Sequence, residues 1–372
     1  MSHDTYSRMI ARMNKNFAKH MESDTLRDFL KELYTEEQAA LIADFPLGAY
    51  TSKPLSEILG RDKAALDKML KEMAEKGLIF AAKNANGEKE YSVLAFEPGL
   101  FEMQFQKGQD DEKTRNLARL VSTILKEERA KIKQSIGNPE MVAELDPEMM
   151  TEMLKGPPGR VISVEQTISA DKEVASWEKV TSIVENENSY AVAECACRQL
   201  AKLNGKPCEA DAPSKCCIYF GKLADFFVEG GYATRLTKEE VFALVKKCQE
   251  AGLIQATANR NKDQAYVLCN CCRCCCAYLN ANRELRDFGI PIMEARFQAQ
   301  VDNENCTGCG ECVDLCQLDA LMLSDDIVRV NEKYCVGCGV CVSTCPTECI
   351  SLKRVSDTEP PELTIPVVGS GV

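Results

Sequence analysis

The chain has 372 residues, a formal net charge of −12 and 21 cysteines, with 45% hydrophobic and 27% charged residues. That length holds two or three domains, each with a sizeable core, and the acidic balance argues against non-specific binding to nucleic acid or an anionic membrane, since both want positive surface. No run reaches the ~18 apolar residues of a membrane helix, the N-terminus lacks an apolar signal core, and no cysteine precedes Cys195. A secreted disulfide scaffold would be short, so the thiols are expected to be metal ligands in a reducing cytoplasm.

Residues 1–35 place Tyr6, Met9, Ile10, Met13, Phe17, Met21, Leu26, Phe29, Leu30 and Leu33 at steps of three and four. This predicts one or two amphipathic helices, packed against the rest of the molecule or a partner subunit. In residues 36–97 a helix from Glu36 to Ala43 precedes Leu55-Ser56-Glu57-Ile58-Leu59-Gly60, and a second runs from Asp62 to Lys76 with Leu66, Met69, Leu70 and Met73 on one face. A hairpin then turns at Asn84 to Gly87 and returns through Tyr91-Ser92-Val93. The pattern resembles a winged helix, which implies DNA binding or protein interaction. In the helix that would read DNA, Lys63, Lys68, Lys71 and Lys76 are balanced by Asp62, Asp67, Glu72 and Glu75. Such a helix neutralises phosphates poorly, so a protein-interaction or structural role is expected and nucleic acid is not.

Residues 98–159 read as a helical linker. A charged helix at 110–135 carries Leu117, Leu120, Val121, Ile124 and Leu125 and is ended by Gly137-Asn138-Pro139. A short helix around Pro147 to Leu154 then gives way to Gly156-Pro157-Pro158-Gly159, where the main domain boundary is expected.

Residues 160–296 form a cysteine-rich α+β domain, opened by a possible strand at Arg160 to Val164. Its first thiol group is Cys195-Ala196-Cys197-Arg198, Cys208 and Cys216-Cys217; its second is Cys269-Asn270-Cys271-Cys272-Arg273-Cys274-Cys275-Cys276. Adjacent cysteines in an extended segment point to opposite sides, so neither group alone presents all its thiols to one centre. The region from about 165 to 353 resembles a set of 4Fe-4S-binding proteins with a C-x-C-R segment, spaced single cysteines and a C-N-C-C run before a ferredoxin domain. The resemblance implies Cys195, Cys197, Cys208, Cys217, Cys269, Cys271, Cys272 and Cys275 as candidate ligands, with Cys216, Cys274 and Cys276 additional. Cys248 falls within a helix from Thr237 to Gly252 and reads as core. Three readings stand: one or two further iron–sulfur clusters, structural zinc, or redox-active disulfides. Arg198 and Arg273 either offset cluster charge or form surface ion pairs.

Residues 297–355 carry C-x2-C-x2-C-x3-C twice: Cys306, Cys309, Cys312 and Cys316, then Cys335, Cys338, Cys341 and Cys345, the last followed by Pro346. This spacing resembles the bacterial-type ferredoxin with two 4Fe-4S clusters. The resemblance implies a pseudo-twofold βαβ pair and crossed ligation, with Cys306, Cys309, Cys312 and Cys345 on one cluster and Cys335, Cys338, Cys341 and Cys316 on the other. Gln317 replaces the proline common after the first fourth cysteine. Cys349, a ninth cysteine, reads as a buried small hydrophobe. Residues 356–372 are expected to be a disordered tail.

The expected whole is an α+β multidomain protein of electron transfer, passing electrons through its clusters to or from a redox partner or the catalytic subunit of an oxidoreductase, in anaerobic metabolism. No flavin or nucleotide fingerprint or catalytic triad is present, and the histidines are His3 and His20, so an autonomous acid–base enzyme is not expected. The alternatives are a redox- or iron-sensing regulator acting through the winged helix, and an iron–sulfur oxidoreductase with substrate at a middle-domain cluster.

Overall fold

The computed structural model describes residues 4–16, 20–97, 99–135, 157–168, 174–259, 262 and 265–362. The N-terminal stripe folds as two helices, α1 (Thr5–Met13) and α2 (Asp24–Leu33). The Ser23 side chain caps α2 by accepting the Leu26 N–H; Phe17, between the helices, lies outside the described residues.

Next come α3 (Glu36–Asp44), β1 (Tyr50–Thr51), α4 (Ser52–Leu59), α5 (Lys63–Glu75), β2 (Phe80–Lys83) and β3 (Lys89–Ser92). A reciprocal Thr35–Gln38 cap opens α3. The strands pair in the order β1-β3-β2. Leu66, Leu70 and Met73 bury one face of α5. Two further helices, α6 (Leu100–Phe105) and α7 (Glu112–Ser135), complete this half, with Leu117, Val121 and Ile124 buried on α7. The breaker at Gly137 to Pro139 and the short helix expected around Pro147 to Leu154 lie outside the described residues.

The middle region contributes β4 (Gly159–Ile162), α8 (Val180–Glu185), β5 (Tyr190–Glu194), α9 (Ala196–Leu203), β6 (Lys215–Phe220), α10 (Gly221–Glu229), β7 (Thr234–Leu236), α11 (Lys238–Glu250), β8 (Ile254–Ala258), β9 (Val267–Cys271), α12 (Ala277–Arg286) and β10 (Met293–Glu294). Its strands form one seven-stranded sheet in the order β10-β4-β8-β9-β6-β5-β7. Side-chain alternation sorts β6 between two cores. Cys217 and Tyr219 face a core that also holds Met9, Phe29, Leu70 and Phe101 of the N-terminal half. Ile218 and Phe220 face Ile183 and Val184 of α8 and Val241 and Val245 of α11. The N-terminal half therefore packs directly on one face of the middle sheet, and one core runs on both sides of the Gly156–Gly159 stretch.

At the C-terminus, β11 (Phe297–Val301) pairs antiparallel with β14 (Ile350–Arg354), and β12 (Leu321–Ser324) with β13 (Ile327–Val330). Helices α13 (Glu311–Leu315) and α14 (Val340–Ser343) lie between them in sequence. Asp319 and Glu348, each three residues after a fourth cysteine, both turn left-handed at φ 53, so the two halves repeat one turn. This unit docks on the middle sheet through Ser163, whose hydroxyl donates to the Gly337 carbonyl at 2.6 Å, and through the Val164 N–H to Cys338 O at 2.9 Å. Of the expected tail, residues 356–362 are described and the rest are not.

Candidate metal centres

The two C-terminal loops are built to surround something. Gly337 and Gly339 have φ of +60° and +84°, and a Cβ on Gly337 would overlap the Phe297 carbonyl oxygen, so only glycine fits. Cys316, Cys335, Cys338 and Cys341 line one cavity with Leu318, Val336 and Ile254. Backbone N–H groups point at its sulfurs: Ala320 N–H reaches Cys316 Sγ at 3.2 Å and Ala299 N–H reaches Cys335 Sγ at 3.4 Å. Burial first, then the charges of Cys335 and Cys316, push the Cys338 thiol up to about 12. On the other side, burial and the charges of Cys309, Cys345 and Cys306 push Cys312 up to about 11. Each fourth cysteine thus sits with the triplet from the opposite half of the repeat. Crowded thiols are relieved by a cationic centre, which binds them deprotonated, so the chemistry of the donor set fits iron–sulfur clusters. The first site is the outer one: Cys309 is exposed, whereas Cys335 is buried.

Two side chains that depart from the ferredoxin pattern have defined places. Gln317 bridges to the middle region, its Oε1 accepting the Arg273 N–H at 2.8 Å while its Nε2 donates to Leu315 O at 3.3 Å. Cys349 is buried, as a small hydrophobe would be, and its Sγ lies 3.5 Å from that of Cys345.

The middle-region cysteines fall into two sets. In the first, Cys195 interacts with Cys197, Cys216 and Cys217, Cys197 and Cys271 both interact with Cys276, and Cys269 lies beside Cys271. Local structure explains the grouping. The register Ile254↔Cys271 and Ala256↔Cys269 puts two β9 thiols on one face, Cys195 and Cys197 straddle the start of α9, and Cys276 caps α12. Interactions with Cys197 and Cys271, then the Leu279 N–H, hold the Cys276 thiol well below its usual value.

The second set is Cys208, Cys272, Cys274 and Cys275, whose Sγ atoms all lie within 4.8 Å of one another. Adjacent Cys271 and Cys272 therefore serve different sets. Of the eight cysteines expected from sequence, Cys195, Cys197, Cys217, Cys269 and Cys271 join the first and Cys208, Cys272 and Cys275 the second; Cys276 and Cys274 complete them. Cys276 had a readable signal, since a cysteine immediately ahead of a helical pattern sits where N–H groups converge. Cys274 had none, because its placement depends on the turn at residues 273–275. Cys216 points to the other side of β6 from Cys217, its Sγ 3.8 Å from Asn270 O; it reaches Cys195 and is buried beside Cys272 and Cys275, and Cys248 is buried on α11.

The two arginines differ. Arg273 is half-exposed and pairs with Asp319 at 3.0 Å, a surface ion pair that joins the middle region to the C-terminal unit. Arg198 is buried, donates from Nη1 to Pro213 O at 2.5 Å and faces Cys216, Cys272, Cys195 and Cys208.

Behind the first set lies an acidic pocket contributed by the N-terminal half. His20 Nδ1 contacts the Glu128 carboxylate at 2.9 Å. Burial works against the charged ring, but Glu128 outweighs it and the His20 pKa is raised. Glu97 is pushed up to about 8 by burial and the neighbouring Glu102, and Glu102 to about 7, chiefly by burial. Tyr278 feels Glu97 and Glu102 on one side and Cys269 and Cys197 on the other.

Among the described residues, no helix is long and apolar enough to cross a membrane. No curated protein and no solved structure matches the chain. A family model for the 4Fe-4S dicluster domain matches residues 299–352, the stretch in which the two crossed thiol sets lie, and so the C-terminal unit is a ferredoxin-type iron–sulfur domain.

Proposed function

We propose that the protein is an electron-transfer protein in which the dicluster domain connects an external redox protein to metal centres of the middle region. Cys306, Cys309, Cys312 and Cys345 hold the outer 4Fe-4S cluster, and Cys335, Cys338, Cys341 and Cys316 the inner one. When bound, such clusters supply one-electron carriers whose potential follows their burial and hydrogen bonding. The first middle set, Cys195, Cys197, Cys217, Cys269, Cys271 and Cys276, offers donors for a further iron–sulfur cluster.

One observation carries this reading. Cys271 and Cys276 of the middle region share an apolar cluster with Ile254, Leu318 and Val336, and Cys338 packs against it. The inner site and the first middle set thus border one apolar cluster, while the outer site meets solvent at Cys309. The chain's acidic balance suits a redox partner with a basic face. Cysteines used as metal ligands rather than as disulfides suit a reducing, cytoplasmic setting.

The order helix, strand, two helices and hairpin at residues 36–92 supports the winged-helix reading, and its role is read as packing and protein contact. Its β2 strand lies against α10, with the Phe80 and Phe226 rings 4.4 Å apart and Lys83 Nζ 2.9 Å from Glu229. A hairpin held in that way is poorly placed to grip a phosphate backbone, which disfavours the regulator.

The test uses the full chain purified anaerobically. In the Cys316→Ala variant, a low-potential donor is expected to reduce the outer cluster as in wild type, while reduction of the middle centre, followed by EPR after rapid freezing, slows at least tenfold. Unchanged reduction of the middle centre would reject the relay.

A further inference from the structure

The thiols of Cys208, Cys272, Cys274 and Cys275 are grouped more tightly than an iron–sulfur cubane allows. Cys208 Sγ lies 3.6 Å from Cys272 Sγ and 3.5 Å from Cys274 Sγ, and Cys274 Sγ lies 3.6 Å from both Cys272 Sγ and Cys275 Sγ. In a tetrahedral site with metal–thiolate bonds of about 2.3 Å, the sulfurs stand about 3.8 Å apart. On a cubane each thiolate binds a different iron and points away from the centre, so its four ligands stand well beyond that spacing. The chain supplies its own comparison. Among the described residues this is the group of metal-binding side chains that comes within 4.8 Å throughout; neither dicluster set does, nor the six-thiol set.

The surroundings agree with a closed, anionic site. Cys272 and Cys275 are buried with Cys248 and Leu253, and Ala210 and Ala212 pack against them from the loop that carries Cys208. Arg198 is 5% exposed, donates to the Pro213 carbonyl and reaches the Cys272 thiol. Its charge faces Cys272 and Cys208. Four thiolates on a divalent cation leave two negative charges, one of which a buried guanidinium offsets.

We propose that Cys208, Cys272, Cys274 and Cys275 bind a single divalent metal ion of the zinc class in a closed tetrahedral tetrathiolate site, and not an iron–sulfur cluster. Binding displaces the thiol protons and involves no redox step. The ion's role is positional. It ties the irregular loop bearing Cys208 to the run that also carries Cys271 and Cys276, fixing those two thiols against Cys195 and Cys197. With all four positions filled by protein, it has no opening for substrate. This assignment is independent of the electron-transfer reading.

The experiment measures zinc, iron and acid-labile sulfide per full-length chain in wild type, Cys208→Ala and Cys274→Ala, all purified anaerobically. Each variant is expected to lose one metal atom and no sulfide; zinc identifies a structural ion, and iron without sulfide a mononuclear iron in the same four-thiolate site. Loss of about four irons together with sulfide, or loss of no metal, overturns the proposal. Should either variant fail to fold, X-ray absorption of the wild-type chain decides. Four sulfurs at about 2.3 Å around zinc support the site, and absence of such a zinc component rejects it.

Discussion

A methyl group added at Gly337 would overlap the carbonyl oxygen of Phe297, and the backbone there already sits at φ +60°. The strain is on the order of 1–3 kcal/mol, and it falls on the loop that aims Cys335 and Cys338. Gly337→Ala is therefore expected to lose the inner cluster, about four of the roughly eight irons of a two-cluster domain, while the EPR signal of the outer cluster persists. Full iron in the purified variant would show that the loop yields more easily than its contacts imply. Cys349 makes the opposite case. Ala320 holds the equivalent place in the first half of the repeat and is equally buried, so Cys349→Ala should retain both clusters and change stability by no more than about 1 kcal/mol. Loss of the outer cluster in that variant would make Cys349 a ligand in place of Cys345, which it touches.

At the scale of elements, the balanced charge of α5 and the packed hairpin point the same way. Lys63 is already spent on Asp67 at 2.6 Å, and β2 is covered by α10. Duplex DNA is expected to bind weakly if at all at physiological salt, and Lys68→Glu with Lys71→Glu should leave that baseline unchanged. Sequence-selective binding lost in the double variant, with a steep salt dependence, would restore the regulator. What could be read from sequence here follows the range of the forces involved. The α5 helix was legible because Leu66, Leu70 and Met73 recur at helical spacing within one segment. The β2–β3 hairpin was legible because its strands are sequence neighbours joined at Asn84 to Gly87. The seven-stranded sheet was not, since pairs such as Gly159↔Ala258 and Ile218↔Leu268 join distant segments with no local signal of their partners. The thiol sets follow the same rule. The dicluster triplets lie within single loops, whereas the membership of Cys274 was fixed only by the turn after β9.

At the scale of the whole molecule, the N-terminal half does more than cover the middle sheet: it buries acids behind the first thiol set. Glu97 and Glu102 have folded pKa values of about 8 and 7, raised above the unfolded 4.5. Between those limits the unfolded chain has released their protons and the folded chain still holds them, so stability falls as pH rises, the reverse of a salt-bridged carboxylate. His20 acts in the same direction. Its raised pKa contributes stability that is complete below 6.5, the ordinary value, and is lost as pH climbs through the folded one. The groups facing Glu97 are Glu102, His20, Glu128 and Cys276, and all lie at the contact between the N-terminal half and the thiol set. Glu97→Gln keeps the shape and removes the proton. Anaerobic urea unfolding of the full chain should find the variant more stable than wild type, by a margin that widens from pH 6 to pH 8 and is constant above. Parallel stability curves across that range would mean that Glu97 is ionised in the folded protein, and that the pocket is wetter or better compensated than its burial implies.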